Sequence, residues 1–424
     1  MSLSAPIVVI ADQPTPELLE ALASAGGFPI VESSWAKAPE AFVAIKPSAI
    51  VLAEPGQASQ PAKLKTLNLQ LQTAKGPLVP VIARVNAGED PPIPSAIRID
   101  ASAPVARLVA RLSAALRVRT LHAATLRRMA TFEAQSGRVI KLPAGDPVDD
   151  ATVLLTGRGR TYPGLSVALG ERFGLLGALS VETAGRHLNA RTVDGIVIGE
   201  GFAPRMVEAF LTVLAEDARF RDLPIVVAGR VPPGDVFDAL PNLDHVGGGP
   251  SHVVEHLLPM IRLHALQEQL NRVLASLDAD GLLDAETSLL IPEAFRRDLD
   301  RAVDEAKERS GALSIGRFCF DLVLARRASL DVARLVSRLM RKVDFACREA
   351  DGSILAVFTE TDLRAAHVIA RRIGSVLKHT MLAPNGDRRL TPSITLATLK
   401  PSDTPGTLVA RVAGGAVAAM AARA

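Results

Sequence analysis

The stretch RKVDFACREADGSI, at residues 341–354, organises the C-terminal third of the chain. It holds a basic and an acidic residue, Arg341 and Asp344, and five residues later a short turn, ADGSI. Apolar residues at helical spacing precede it over 329–340, and a buried apolar run follows it at 355–358. The sequence therefore predicts a helix, a polar loop, a strand, a turn and a second strand, in that order.

This layout resembles the GGDEF domain of diguanylate cyclases, in which an inhibitory RxxD motif lies five residues before the GGDEF turn. Arg341 and Asp344 match the RxxD motif, but ADGSI stands where the family has GGDEF. Arg372, in the string IARRI, matches a second arginine that the family uses for the same ligand. The resemblance implies that all three residues bind cyclic di-GMP (c-di-GMP). The alternative is that RxxD is a solvated helix end and that Arg372 belongs to an exposed helix face.

The chemistry of these side chains suits that ligand. An arginine fork matches a phosphate or the O6/N7 edge of guanine, and a carboxylate accepts hydrogen bonds from guanine N1 and N2. Arg341 and Asp344 are three residues apart at a predicted helix end, so we expect both to face one guanine. In the family, two intercalated ligand molecules fill the site and an arginine of a neighbouring domain closes it.

The positions that the resemblance assigns to catalysis carry other residues. Gly352 and Ser353 stand at the metal-binding and catalytic acid positions of the turn, and Ile291 replaces a guanine-binding asparagine. The metal-binding aspartate of the first strand is Cys319 by register, or Asp321 if the register slips. Two-metal phosphoryl transfer needs carboxylates that hold Mg²⁺ against the triphosphate. The sequence therefore predicts no enzyme activity, no metal site and no resident cofactor.

Length and composition set the broad class. A chain of 424 residues predicts about three domains. Basic and acidic residues nearly balance, 48 against 45, which gives no footprint for nucleic acid. The two cysteines have neither metal-ligand nor disulfide spacing, which fits a reducing cytoplasm. We expect no signal peptide and no membrane span, because no long uninterrupted apolar run occurs.

Strands and helices alternate twice along the chain, over 6–118 and over 151–265, as is typical of parallel doubly wound sheets. The repeated strings are AIVLAEPG and GIVIGEGF, at 49–56 and 195–202, and PVIAR and PIVVAGR, at 80–84 and 224–230. This internal repeat resembles the receiver domain of response regulators. The expected fold class is α/β, with two receiver-like (flavodoxin-like) doubly wound domains followed by a GGDEF (cyclase-like α/β) domain.

Neither repeat has the residues that a receiver needs for phosphorylation. The acceptor aspartate at the end of the third strand is replaced by Ala53-Glu54 in the first repeat and by Gly199-Glu200 in the second. The lysine of the fifth strand is also missing from both. Glu54 and Glu200 are interpreted either as mimics of the phosphoaspartate charge or as ordinary polar strand ends.

We predict domains at 1–140, 141–277 and 278–424. The segment 119–150 begins as a basic helix and is interpreted as the linker between the receivers, and a long helix from residue 251 leads into the third domain.

The order of two receiver-like domains and a GGDEF domain resembles the PopA/PleD-type response regulators. The resemblance implies a cytoplasmic, catalytically inactive c-di-GMP effector. It would act as an adaptor that recruits partner proteins at the cell pole for cell-cycle regulated proteolysis. It also implies homodimers formed through the receivers. Two alternatives are open, an active diguanylate cyclase and a dimerising scaffold that binds no nucleotide.

Overall fold

The computed structural model describes residues 5–13, 15–54, 61–86, 88–228, 240–320, 326–379 and 392–421, without the side chains of 326 and 414–421. Within these residues the chain forms three β-sheets, each from one continuous part of the sequence. We refer to the three parts as the first, second and third units.

The first and second units share one topology. The first unit contains β1 (Ile7–Ile10), α1 (Pro16–Ser24), β2 (Ile30–Ser33), α2 (Ala38–Ile45), β3 (Ala49–Leu52), α3 (Pro61–Thr73), β4 (Val81–Val85), β5 (Ile97–Asp100) and α4 (Val105–Ser136). The second contains β6 (Thr152–Thr156), α5 (Tyr162–Gly170), β7 (Gly174–Ala178), α6 (Val181–Ala190), β8 (Gly195–Ile198), α7 (Pro204–Glu216), β9 (Ile225–Val227), β10 (Leu243–His245) and α8 (Pro250–Leu277). The sheet orders are β2-β1-β3-β4-β5 and β7-β6-β8-β9-β10, with every pair parallel. Both are the flavodoxin-like order 2-1-3-4-5, which confirms the predicted α/β class.

The central strands of these sheets are short apolar runs because helices cover both faces. β1 (IVVI), β3 (AIVL) and β8 (GIVI) are buried at every position. This explains why the sequence pattern identified them without an alternation of polar and apolar residues.

The third unit is built around an antiparallel sheet. It contains α9 (Pro292–Glu308), β11 (Leu313–Phe320), α10 (Arg326–Leu339), β12 (Phe345–Arg348), β13 (Ile354–Thr359), α11 (Leu363–His379), β14 (Pro392–Thr398) and α12 (Pro405–Ala421). The strand order is β12-β13-β11-β14. β12 and β13 form a hairpin, and α10, the following loop and β12 appear in the order that the sequence predicts. The register of β11 against β13 places Arg317 opposite Leu355, beside the hairpin turn.

Helix α4 corrects the sequence interpretation of the segment after residue 118. We expected a basic helix to begin after residue 118 as the start of a linker, but one helix of 32 residues runs from Val105 to Ser136. It contains neither proline nor glycine, so nothing in its interior favours a break. It ends at Gly137, whose left-handed backbone (φ 68°) closes the last turn. At about 48 Å it is long enough to reach from the first unit into the third.

Helices α4 and α8 pack against each other and connect the three units. Leu112 of α4 and Leu257 of α8 lie in one hydrophobic core shared by the first and second units. The far ends of the same helices contribute Phe132 and Leu277 to the core of the third unit. The paired helices therefore form a stalk on which the third unit sits, and their facing surfaces are covered within the chain. No helix in the described part of the chain is both long and apolar enough to cross a membrane.

Candidate functional site

The RxxD loop connects α10 to β12, and its two charged side chains bind each other. Arg341 donates from Nε to Asp344 Oδ2 at 2.8 Å and from Nη2 to Oδ1 at 2.7 Å. The Asp344 side chain is fully buried, whereas 26% of the Arg341 side chain is exposed. We expected both residues to face one guanine. The structure instead turns the carboxylate inward, with Arg341 covering it.

The end of β13 holds Arg341 from a second side. Nη2 donates to the Thr359 carbonyl at 3.0 Å and to the Thr361 hydroxyl at 2.8 Å. The Thr359 N–H in turn donates to Asp344 at 3.1 Å. No hydrogen bond to Arg341 Nη1 is formed by any residue that the structure describes. Among the described residues, Nη1 is therefore the part of this guanidinium that can bind a phosphate or a guanine without breaking a hydrogen bond to the protein.

The ionisation of Asp344 depends on this surrounding. Burial raises the pKa of Asp344, and the hydrogen bonds and charge of Arg341 and the Thr359 N–H offset only part of that effect. Arg341 therefore favours the ionised carboxylate, and a protein without Arg341 would bind a proton at Asp344 more readily.

Arg372 lies next to the same loop. It projects from α11, is exposed, and donates from Nη2 to the Leu339 carbonyl at 3.0 Å. Leu339 is the last residue of α10, two positions before Arg341. The structure therefore brings all three predicted residues to one end of α10. Capping of a helix C-terminus by a cation is itself stabilising, so this contact also fits a purely structural role for Arg372.

The hairpin turn carries a network that differs from a metal site. Asp351 accepts hydrogen bonds from the Ser353 N–H at 2.9 Å and the Ser353 hydroxyl at 2.6 Å. Arg317 of β11 forms an ion pair with the same carboxylate and donates to the Ser353 hydroxyl at 3.1 Å. Burial works against ionisation of Asp351, but the Ser353 hydrogen bonds and the Arg317 charge outweigh it and lower the pKa of Asp351. Asp351, the carboxylate of the ADGSI turn, is thus neutralised by Arg317 of the same unit.

The other positions that the resemblance assigns to catalysis also lack metal ligands. Cys319 is half-buried near the end of β11, and Ile291 packs against the hydrophobic core of the third unit. Asp321 lies outside the described residues. Within the described ranges, no group of three His, Cys, Asp or Glu residues is placed to hold a metal ion. The donor set of the described residues therefore does not fit a pair of Mg²⁺ ions.

Solved structures that resemble this chain are diguanylate cyclases and GGDEF domains. The coiled coil and GGDEF domain of DgcB from Caulobacter crescentus, in complex with c-di-GMP, is 20% identical, with 35% of this chain and 84% of that chain covered and a TM-score of 0.30. Diguanylate cyclase SiaD of Pseudomonas aeruginosa, in complex with its activator SiaC, is 14% identical, with 37% and 64% covered and a TM-score of 0.33. The GGDEF domain of PA1120 (TpbB or YfiN) from the same organism is 21% identical, with 30% and 81% covered and a TM-score of 0.27. No family model and no curated protein matches the chain.

The RxxD loop is also where the third unit contacts the stalk. Val343, between the two charged residues, packs with Leu121 of α4 and with Leu270 and Leu274 of α8. Lys342 donates from Nζ to the Asn271 side chain at 3.1 Å. A ligand at Arg341 would therefore lie beside an interface between units, which the sequence did not reveal.

Charged contacts between α4 and the third unit were missed by the sequence analysis. Arg128 donates to Asp298 at 2.9 Å, and Arg127 donates to Glu305 at 3.1 Å. Arg119 donates to Glu360 at 2.9 Å. All three arginines are buried, although the sequence analysis interpreted this basic segment as the start of a linker. The sequence carries one signal for these contacts, because the single helix α4 contains six arginines. Cations that become buried require acidic partners elsewhere in the fold.

Glu54 and Glu200, which follow the positions of the missing acceptor aspartates, each accept a hydrogen bond. Glu54 accepts from the Gln13 N–H, and Glu200 accepts from the Thr161 hydroxyl at 3.3 Å. A side chain at Gly157 would meet the Gly199 backbone at 3.2 Å, so the corner beside Gly199 is tightly packed.

Neither of these units is expected to accept a phosphoryl group from acetyl phosphate in the presence of Mg²⁺. Ala53 and Gly199 leave no aspartate at the acceptor positions, and such transfer needs a carboxylate cluster around the metal. Intact-mass spectrometry after incubation is the measurement, with a functional receiver protein treated in parallel as the control. A hydroxylamine-labile phosphate on Glu54 or Glu200 would contradict the prediction.

Proposed function

We propose that this protein is a c-di-GMP receptor whose GGDEF domain has no cyclase activity and which transmits the signal through protein contacts. The observation that carries the proposal is the assembly at the end of α10. There Arg372 binds the last carbonyl of α10, two residues before Arg341, and Arg341 keeps its Nη1 edge unbonded among the described residues. The adjoining turn contains no group of carboxylates that could hold catalytic metal.

The ligand chemistry agrees with the groups on offer. c-di-GMP carries two phosphates and two guanines, and arginine binds either group through paired, charge-assisted hydrogen bonds. Guanine bases stacked on each other or on a guanidinium plane contribute about 1–3 kcal/mol per base. A partly exposed Arg341 with an exposed Arg372 beside it supports a bound phosphate more directly than it supports an active centre.

The position of the loop supports transmission by contacts. Val343 and Lys342 contact helices of the stalk, so a ligand bound at Arg341 acts beside the interface between the third unit and the other two. The same proposal includes recruitment of partner proteins for regulated proteolysis at the cell pole. That step rests on the resemblance to PopA/PleD-type regulators and is tested by the localisation of a fluorescent fusion, with and without the Arg341→Ala substitution.

A homodimer through the first two units belongs to this proposal and rests on the resemblance to PopA/PleD-type regulators. Each of these units carries an apolar helix side chain that is more than 60% exposed, Val43 of α2 and Val213 of α7. The facing surfaces of α4 and α8 are covered within the chain and are less suitable for this purpose. Sedimentation equilibrium with and without c-di-GMP measures the association, and a monomer under both conditions contradicts it.

Purified protein is expected to make no c-di-GMP from GTP with Mg²⁺ or Mn²⁺. Gly352 and Ser353 stand at the metal-binding and catalytic acid positions, and Arg317 already pairs with Asp351, so the turn itself offers no free carboxylate to bind the metal ions. Chromatographic separation of the nucleotides after long incubation is the measurement, with an active diguanylate cyclase as the positive control. Formation of the linear or cyclic dinucleotide would favour the active cyclase instead.

The second candidate function is a scaffold that binds no nucleotide. It is favoured by the mutual ion pair of Arg341 and Asp344, which already satisfies both charges. Isothermal titration calorimetry of the full chain with c-di-GMP decides between the two, because a scaffold produces no binding heat. Saturable binding that GTP does not compete away supports the receptor.

A further inference from the structure

Glu360 connects the candidate site to helix α4. It follows directly after β13, and its carboxylate accepts from Arg119 Nη1 at 2.9 Å and from the Thr120 hydroxyl. The residues on either side of it, Thr359 and Thr361, are the two that hold Arg341. One segment of three residues therefore binds the stalk with its central side chain and the candidate ligand residue with its flanking groups.

The backbone at Glu360 shows that this segment is held in place by its contacts. Its φ of 47° lies in the left-handed region, which residues other than glycine rarely adopt. The next residue is fixed to the sheet, because the Thr361 N–H donates to the Ala312 carbonyl at 3.2 Å and the Ser314 hydroxyl donates to the Thr361 carbonyl at 2.8 Å. A strained residue persists only where its surroundings determine its conformation.

The carboxylate charge of Glu360 also stabilises its buried partner, Arg119. Arg119 is 1% exposed, and burial lowers the pKa of its guanidinium while the charge of Glu360 opposes that effect. Since a buried cation without its partner is costly, movement of Glu360 away from α4 is opposed by Arg119. The same α4 turn supplies Leu121, which packs on Val343 of the RxxD loop. Residues 119–121 therefore contact both Glu360 and the RxxD loop, the two segments that lie next to Arg341.

We propose that Glu360 is a positioning residue that couples the orientation of Arg341 to the docking of the third unit on α4. This inference deepens the proposed function and rests on it for the identity of the ligand. With Glu360 bound to α4, Thr359 and Thr361 hold one edge of Arg341 and leave Nη1 directed to the ligand. Such preorganisation strengthens binding. Coupling of two binding events is reciprocal, so c-di-GMP at Arg341 stabilises the contact of the third unit with α4.

The test compares Glu360→Gln with Asp222→Asn in the full chain. Glu360→Gln keeps the shape of the side chain but removes its charge. Asp222→Asn does the same to another α4 partner, the partner of Arg117 in the second unit, and the two acids are equally exposed, at 28%. Thr120→Val removes one contact from the helix side and serves if Glu360→Gln does not fold. Hydrogen exchange is followed over 341–345, 357–361 and 117–124, and c-di-GMP affinity is measured by calorimetry.

Glu360→Gln is expected to speed exchange over 341–345 about tenfold and to weaken c-di-GMP binding by a similar factor. Asp222→Asn should change neither. In the wild type, c-di-GMP should slow exchange over 117–124, and Glu360→Gln should lose that protection. If Glu360→Gln and Asp222→Asn behave alike over 341–345, the coupling is wrong even where c-di-GMP binds normally. If the wild type does not bind c-di-GMP, the proposed function is wrong, and so is the part of this inference that concerns the ligand. Hydrogen exchange measured without ligand then decides whether Glu360 couples Arg341 to α4.

Discussion

Replacing Arg341 by alanine is expected to weaken c-di-GMP binding ten- to hundredfold. The guanidinium would form charge-assisted hydrogen bonds to the ligand, and loss of such bonds costs about 1.5–3 kcal/mol. Calorimetric titration of the wild type and of the variant measures the difference. Arg334→Ala is the matched control, because Arg334 is an exposed arginine of α10, seven residues before Arg341. Its affinity should equal that of the wild type.

The Arg341→Ala substitution is also expected to lower stability, because it leaves Asp344 buried without its cation. Breaking a fully buried ion pair costs roughly 3–5 kcal/mol, and the loss here should be smaller because 26% of Arg341 is exposed. Binding must therefore be measured well below the melting temperature of the variant. Equal affinities of wild type and Arg341→Ala, in folded protein, would show that the ligand site is elsewhere.

The two companion substitutions separate the roles of the other predicted residues. If Asp344 faced a guanine, as the sequence predicts, Asp344→Asn would impair binding and leave the melting temperature unchanged. The structure changes the second part, because Asp344 is buried and accepts from Arg341 and the Thr359 N–H, so the amide should lower the melting temperature as well. Arg372→Ala should be milder, reducing the number of ligand molecules bound before it reduces affinity. If none of these three substitutions alters binding, RxxD is only a helix end.

Removing the charge of Asp244 is expected to destabilise the contact between the first and second units by about 3–5 kcal/mol. Asp244, on β10, accepts from Arg111 Nη1 at 2.9 Å and Nη2 at 2.8 Å, and from Arg107 at 2.9 Å. His256 Nε2 lies 2.8 Å from the same carboxylate. Arg111 is completely buried. An Asp244→Asn protein therefore retains a buried guanidinium without a counter-charge.

Urea unfolding of the full chain, followed by circular dichroism, measures this loss at the first transition. The Asp222→Asn variant is the control, because its ion pair with Arg117 is partly exposed and such pairs contribute about 0–1 kcal/mol. A first transition of Asp244→Asn that coincides with that of the control would show that the ion pair contributes nothing beyond the apolar contacts of α4 and α8.

The ion pair of Asp244 with Arg111 also predicts how the stability of the protein depends on pH. Burial opposes ionisation of Asp244, but the charge of Arg111 and the hydrogen bond of His256 outweigh it, so the pKa of Asp244 lies far below its usual value of 3.8. A folded-state pKa below the unfolded one gives stability that is present above the unfolded pKa and is lost as the pH falls below it. The wild type should therefore lose stability below about pH 4 more steeply than Asp244→Asn. Parallel acid unfolding curves would contradict this.

The sequence by itself determined the class of the fold and the local layout of the candidate site. The buried runs IVVI, AIVL and GIVI are apolar at every position, so composition over four residues was enough to identify strands covered on both faces. The spacing from Arg341 to the hairpin turn is also local, because a helix end, a loop and a short strand follow one another without long-range contacts. None of the four edge strands was predicted. β2 and β7 are only partly buried and lack a regular alternation, and β5 and β10 are only four and three residues long.

The tertiary structure alone decided which charges meet. Arg119 and Glu360 are 241 positions apart, and Arg111 and Asp244 are 133 apart, so no local pattern could pair them. From the sequence, the basic residues after 118 were interpreted only as the start of a linker. Four of the six arginines of α4 are buried, although cations rarely are, because acids from the second and third units pair with them. In the same way, Asp344 faces inward because folding places Thr359 and Arg341 around it. The periodicity of apolar residues along the sequence carries no information about hydrogen-bond partners of this kind.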